Sequence, residues 1–432
     1  MYTFGLEEDR QAFISFVESS NGSFMQLPMW ASVKSNWTPL LYSGRRDGAL
    51  VLTCLVLTRK IPVSGTLWYI PNGFVCDYTD EHLVEQFCVF LKGEMKARGA
   101  FACVMDPDMP WKIDGAVQPA AEQAAALLVR CGFQPNPDRN NYTYQPSLTA
   151  ILELSDAGSA EALLKQCDKG VRYSVRVGPE RGLRSEAFSY AELCENEWAF
   201  DKFLDVMGDT TERLEVVRRP REYYLSFMEQ FAPWAILDLI YYDKKADASS
   251  AAEKRARLAE LEELTQSETR KNVLKKYAHE KQALEEQLEA FRQRSEEAAA
   301  YTEENRLYLA AGITIRFGEM TSCVFGGTKN VLRNTLRASH YLNYVRICRS
   351  IEEGRRLHDM GRVPHSYMSA DAPEHGLFLF KMSFHARLYE FMGEYTLVSR
   401  RAAYHFYHRL MPLVRNNRMK VTRFFKKLLG RA

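Results

Sequence analysis

Residues Glu374 to Leu397 read EHGLFLFKMSFHARLYEFMGEYTL, a run in which apolar and aromatic side chains surround one lysine, Lys381. Phe380 precedes that lysine, Phe384 follows three residues on, and Gly393-Glu394-Tyr395 closes the run. A cation in such a frame can meet a phosphate or a developing oxyanion. The same residues could instead form a core strand and a turn, with Lys381 reaching out to solvent.

The rest of the chain sets the bounds. Its 432 residues are enough for two or three domains, and 46% hydrophobic residues suit a globular protein with a sizeable core. The nine cysteines are scattered singly, with no C-x-x-C pair. That pattern implies reduced thiols in a cytoplasmic setting and no disulfide or structural metal. No apolar run approaches the roughly 18 residues of a membrane span, and MYTFGLEEDRQ is not a signal peptide. From Tyr395 onward there are ten Lys or Arg and no Asp or Glu. Against a net charge of +2 for the whole, that leaves −8 for the preceding portion. A basic, aromatic end such as VTRFFKKLLGRA suits an anionic surface, membrane or nucleic acid, or a solubilising helix end.

Periodicity predicts an α/β chain. Glu7–Glu18 is amphipathic, Leu50–Arg59 and Phe101–Met105 read as strands, and residues 85–98 and Ala120–Arg130 read as helices. A second unit repeats the plan. Ile151–Leu154 reads as a strand and Ala160–Cys167 as a helix; Phe227 and Met228 fall in another helix, and strands follow at Ala235–Tyr242, Gly312–Phe317 and Ser322–Phe325. Between them, Ala246–Ala311 holds no Gly or Pro. Stripes at Leu258, Leu261, Leu264 and at Leu274, Tyr277, Leu284, Leu288, Phe291 predict an antiparallel coiled-coil hairpin, with Lys281 interrupting the second stripe. Its tip, Ser267–Lys276, carries Arg270, Lys271, Lys275 and Lys276; such a basic tip resembles the tRNA-contacting coiled-coil arm of seryl-tRNA synthetase, or is simply a solvated charged face.

Several short motifs stand in order along the chain: Gln26-Leu-Pro-Met-Trp30-Ala-Ser-Val-Lys34, Tyr69-Ile-Pro71-Asn-Gly73 with Asp77, Asp106-Pro107, and Gln145-Pro146. After them come Lys169-Gly-Val-Arg172-Tyr173-Ser-Val-Arg176, Thr211-Glu-Arg213 with Tyr223-Tyr224, Phe325-Gly-Gly-Thr-Lys-Asn330 with Ala338-Ser-His340, and the Lys381 run. Together they resemble the Fem family, the FemABX aminoacyltransferases that move an amino acid from aminoacyl-tRNA onto the stem peptide of peptidoglycan precursors. Two departures stand out. His365-Ser-Tyr367-Met-Ser-Ala-Asp371 replaces a Tyr-Asp-Phe-Gly-Gly-like run, and His385-Ala386 replaces a small glycine turn.

The resemblance implies two acetyltransferase-like (GNAT-type) α/β domains with the hairpin inserted in the second. The domains would be 1–150, completed by a C-terminal basic segment at 392–432, and 151–245 with 312–391, flanking an arm at 246–311. It implies a cytoplasmic enzyme, peripheral at the inner face of the membrane, using aminoacyl-tRNA as co-substrate and no cofactor. The acceptor would be a stem-peptide lysine amine on lipid II or on a UDP-linked muropeptide. Lys381 would stabilise charge at the ester or grip the tRNA's terminal phosphates, and Asp106 would steer or deprotonate the amine. Lys34 and Arg213 would hold the diphosphate, Arg the better bidentate partner. Thr211, Tyr224, Phe380 and Asp77 would complete the substrate contacts. An acyl-CoA N-acyltransferase on a related fold is the enzymatic alternative, but no R-x-x-G-x-G/A pyrophosphate loop is present. A non-enzymatic coiled-coil RNA- or membrane-binding protein is the other.

Overall fold

The computed structural model describes all residues except 35, 139–141, 156–157, 215–218, 373–374 and 410–432. The chain divides into two compact units. The first takes Met1–Thr149, Arg362–His375 and the described residues from Leu388 onward; the second takes Ala150–Gly361 and Gly376–Arg387.

The first unit is a sheet in the order Tyr2–Leu6, Thr38–Arg46, Ala49–Ile61, Gly65–Ile70, Ala100–Met105, Tyr395–Val398, Gln134–Pro135. Neighbours are antiparallel except Gly65–Ile70 and Ala100–Met105, which run parallel. The apolar run at Ala49–Ile61 is a strand because both of its faces are covered: Leu52, Cys54, Leu55, Val56 and Leu57 are all buried. Helix Glu81–Ala97 packs through Leu83, Val84, Phe87, Leu91 and Met95, spaced three and four apart. Asp80 caps it by accepting the Leu83 N–H at 3.1 Å. Phe87 is fully enclosed, so truncating it to Ala would cost about 3–5 kcal/mol.

The two parallel strands end side by side, Ile70 opposite Met105. The residues that follow, Pro71-Asn72 and Asp106, therefore emerge together at one end of the sheet. Gly73 completes the turn at φ 75°, and a Cβ there would lie 3.0 Å from the Pro107 Cα, so the position needs glycine.

Residues 362–375 and 388–391 fall with the first unit, whereas the sequence reading kept 312–391 whole in the second. The reason is strand pairing: Tyr389 lies opposite Ile113 and Glu390 opposite Lys112.

The second unit orders its strands Leu183–Phe188, Ala235–Asp243, Arg306–Phe317, Met320–Thr328, and then the part of Leu357–Val363 that belongs to it. The first three neighbouring pairs are antiparallel. Met320–Thr328 and Leu357–Val363 are parallel, but they pair only from Met320 opposite Leu357 to Ser322 opposite Asp359. Beyond that point their backbone edges are unpaired with one another. Helix Ala338–Glu352 buries Leu342 and Ile347 and carries Arg346 to a buried ion pair with Asp238 at 3.0 Å.

Two helices, Lys244–Ser267 and Lys271–Tyr301, interrupt the sheet between paired strands. They pair in antiparallel order, Asp247 with Arg294 and Arg257 with Glu280. Leu274, Tyr277, Leu284, Leu288 and Phe291 are half-buried as a stripe, and Lys281 lies in the stripe at the same depth. Leu264 is exposed. The strand after the second helix begins at Arg306 rather than Gly312, because Ala310 and Ala311, helix formers by propensity, are buried in the sheet.

Candidate functional site

In the first unit the strand end at Met105 delivers Asp106 into a polar and aromatic setting. Its carboxylate accepts the Tyr69 hydroxyl at 3.0 Å and the Asn72 backbone N–H at 2.8 Å. Burial dominates its titration and pushes the carboxyl up to about 7, with the two hydrogen bonds and Arg362 opposing and Glu394 adding. A carboxyl titrating near neutrality is suited to moving a proton.

Tyr69 is held in turn. Its ring stacks on Tyr144 with centroids 3.8 Å apart and planes 12° apart, and Trp37 lies 6.1 Å from both rings. The Arg59 guanidinium sits 4.6 Å over Trp37. Glu394 accepts the backbone N–H groups of Thr143 at 2.6 Å and Tyr144 at 2.8 Å, fixing the segment that carries the stacked ring. Burial raises the Glu394 carboxyl, and those donors oppose the rise. Lys34 caps the helix Pro28–Val33 and lies 4.3 Å over the Trp30 ring. Asp77 stands apart from this group. It is exposed and spends its carboxylate on the Thr79 N–H and hydroxyl, a local turn.

In the second unit Lys381 ends the helix His375–Met382 rather than lying in a strand, and only 7% of it is exposed. Its Nζ donates to the Gly361 carbonyl at 2.7 Å, on the strand edge left unpaired where the two parallel strands part. Gly361 takes φ 92°, and a Cβ there would come within 3.4 Å of that Nζ. Burial lowers the Lys381 pKa, opposed by Asp359 and Cys323. The reading in which Lys381 reaches solvent is therefore corrected: the apolar frame encloses it. Phe380 sets its ring edge-on to His340 at 4.9 Å and to Phe384 at 5.4 Å. His385 takes φ 67°, the left-handed region, where the resemblance expects a glycine turn.

Arg213 donates to the Thr328 carbonyl at 3.2 Å and to the Asn330 Oδ1 at 2.7 Å, and burial and Arg333 hold its pKa down. It thus braces the chain after the strand Met320–Thr328. Thr211 donates its hydroxyl to Gly208 O within its own helix. Tyr224 is a core residue, 2% exposed and edge-on to Phe203 and Phe325. At the hairpin tip, Arg270 is paired with Glu268 at 2.7 Å, while Lys271, Lys275 and Lys276 are exposed.

The structure therefore gathers Asp106 with residues the sequence reading did not single out as site residues: Tyr69, Tyr144, Trp37, Glu394 and Arg362. Tyr69 and Glu394 lay inside quoted motifs; Tyr144, Trp37 and Arg362 gave no signal. Two open surface cavities, of about 590 Å³ at Lys112, His365 and Glu390 and about 430 Å³ at Arg255, Leu288 and Phe291, contain neither Asp106 nor Lys381. Among the described residues no His, Cys, Asp or Glu cluster is placed to hold a metal, and no helix is long and apolar enough to cross a membrane.

Comparison with known proteins decides the family. The FemAB family model matches residues 9–411. This chain belongs to the FemAB family. It is 23% identical over 426 residues to a lipid II:glycine glycyltransferase of Staphylococcus haemolyticus, covering 97% of this chain and 98% of that one. It is 25% identical over 427 residues to a lipid II:glycine glycyltransferase of Staphylococcus aureus (strain MRSA252), covering 96% and 97%. The crystal structure of FemX superposes with a TM-score of 0.75 at 22% identity, covering 94% of this FemAB chain and 99% of FemX. The fold is the mixed α/β architecture that FemX shows, in two compact units.

Proposed function

We propose that this FemAB protein transfers an amino acid from aminoacyl-tRNA to the stem-peptide amine of lipid II, building a peptidoglycan bridge. The observation that carries the reading is the Asp106 carboxyl, hydrogen-bonded by Tyr69 and the Asn72 N–H at the end of its strand, where burial pushes it up to about 7. The named activity of the staphylococcal relatives supports it.

The reaction needs little covalent help. A lysine amine, with a reference pKa of about 10.4, loses a proton and attacks the ester carbonyl of the donor. The C–N bond forms, the C–O bond to the ribose breaks, and the ribose oxygen takes a proton. Ionised Asp106 accepts the amine's proton. Lys381, held at the Gly361 carbonyl, offers its remaining N–H donors to the oxyanion or to a terminal phosphate. Lys34 serves the diphosphate of the acceptor, Arg213 is taken up in bracing the chain after Met320–Thr328, and Phe380 lines the apolar side of Lys381. Thr211 and Tyr224 contribute by packing their helices rather than by touching substrate. No cofactor enters.

The basic end beyond residue 409, outside the described residues, would hold the enzyme at the anionic inner face of the membrane. Lysines 271, 275 and 276 would offer a secondary contact to the RNA. The test is a transfer assay with a mixed pool of charged tRNAs, lipid II and the UDP-linked muropeptide, read by product mass. An aminoacylated lipid II product supports the reading. Product only on the UDP-linked precursor moves the acceptor, and no product with any charged tRNA overturns the reading.

A further inference from the structure

The helix Lys169–Glu180 is sharply two-sided. Val171 and Val175 are buried in the core of the second unit. The opposite side exposes Lys169, Arg172 and Arg176, spaced three and four residues apart, with Tyr173 among them at 46% exposure. Arg172 turns back to the carbonyls of Lys165 and Cys167. Lys169 and Arg176 make no ion pair with any described carboxylate.

A second element adds to the same face. The short helix Arg333–Leu336 is bracketed by two non-glycine residues in the left-handed region, Leu332 at φ 54° and Arg337 at φ 50°. Such conformations are disfavoured unless their surroundings hold them. Glu297 holds the first by accepting the Leu332 N–H at 2.6 Å. The consequence is that Arg333 and Arg337 are both exposed, and the Arg337 guanidinium lies within 3.4 Å of where a Gly170 Cβ would stand. Arg181 ties the two elements: it donates to the Tyr173 hydroxyl at 2.7 Å and to the Thr335 carbonyl at 3.3 Å. Asp168 precedes the helix and Glu180 ends it, Glu297 is engaged at Leu332, and Asp209 is engaged at Lys329 and Asn330. Five cations thus crowd one rigid face with too few carboxylates to balance them.

We propose that this face, Lys169, Arg172, Tyr173, Arg176, Arg333 and Arg337, docks the sugar-phosphate backbone at the acceptor end of the donor RNA. The proposal rests on the reading that the donor is aminoacyl-tRNA. Guanidinium forks match phosphate oxygens bidentately, and an exposed tyrosine ring offers a base a stacking surface. A bilayer is the poorer occupant. Membrane-lying helices present large apolar side chains to lipid, and here the apolar side of the helix is spent in the core.

The test compares wild type with the triple variant Lys169→Gln/Arg176→Gln/Arg333→Gln; the three native side chains make no hydrogen bond among the described residues. The probe is an uncharged acceptor-stem RNA hairpin ending in CCA, titrated at several salt concentrations. Losing three phosphate contacts should make the slope of log K against log salt shallower by about two, with affinity near 0.1 M salt down tenfold or more. The charge-keeping variant Lys169→Arg/Arg176→Lys/Arg333→Lys should keep the wild-type slope. Binding to phosphatidylglycerol vesicles should not change. Unaltered RNA affinity and slope in the triple variant overturn the proposal, as does loss of vesicle binding with RNA binding retained. Transfer from aminoacyl-tRNA by the wild type is measured in parallel. If it fails while the RNA slope responds, the functional reading falls and the surface stands. If it succeeds while the slope is unmoved, the reverse holds.

Discussion

The Tyr69 phenol donates to the Asp106 carboxylate at 3.0 Å, and that single bond links the aromatic stack to the one carboxyl assigned a proton-transfer role. The bond favours the ionised acid, so it lowers a pKa that burial has raised. Transfer should rise with pH through about 7, because the carboxylate is the base. Tyr69→Phe removes the donor, leaves Asp106 harder to ionise, and should move the rising limb of the pH–rate profile to higher pH. An unmoved limb would separate Asp106 from the rate.

Asp106→Asn should abolish that limb and lower kcat by about 10²-fold or more, the scale of a lost general base. Its effect on stability has a defined sign. The folded pKa lies above the unfolded one, so the wild-type acid contributes stability at low pH that is lost as pH rises through about 7. The melting temperature of the Asn variant relative to wild type should therefore increase from pH 5 to pH 8. A relative decrease would contradict the raised carboxyl.

Lys381→Ala should reduce transfer by about 10²-fold or more, as for removal of one charge-stabilising donor. It also leaves the Gly361 carbonyl without its donor, which costs about 1–3 kcal/mol if no water replaces it. Lys381→Gln keeps an N–H donor for that carbonyl without the charge and separates the two effects. Near-wild-type turnover by either folded variant would remove Lys381 from the reaction.

At the base of the helical insertion, Arg294 and Asp247 pair at 2.9 Å with 5% and 2% of their side chains exposed, and Tyr242 donates to the same carboxylate. Arg294→Ala leaves a buried carboxylate unpaired and should cost about 3–5 kcal/mol. Hydrogen exchange should speed first in the two helices. Uniform loss of protection across the second unit would mean that the pair supports the sheet as well.

Changing Lys271, Lys275 and Lys276 to Glu should raise the donor KM while leaving the acceptor KM within about twofold, because uniform binding is what is lost. Arg270 is left in place, being neutralised by Glu268. An unchanged donor KM at two salt concentrations would leave the tip as a solvated end.

Most elements were legible because their periods were clean. The stripe Phe87, Leu91, Met95 and the run LVLTCLVLT each admit one solution. HGLFLFKM did not, since it is apolar on every side and a strand and a short helix read alike there. Tyr223 and Tyr224 are neighbours in sequence but about 100° apart around their helix; Tyr224 is buried and Tyr223 half-buried, both edge-on to Phe325, a packing the motif alone did not reveal. Asp106 was singled out through the Fem resemblance, which has an Asp-Pro after that strand. Its partners were not, because Tyr144 and Arg362 reach it from distant parts of the chain, and sequence spacing carries no trace of a stack at 3.8 Å.

The helical insertion leaves and rejoins the sheet at residues that already face each other, Asp243 opposite Arg306. Directly opposed strand residues stand about 4.5–5.5 Å apart, a gap that a two-residue turn closes. The insertion is therefore a detachable module in design terms. Its length can drift, or it can be exchanged for an Asn-Gly link together with its anchoring contacts, without shifting the register of a single strand.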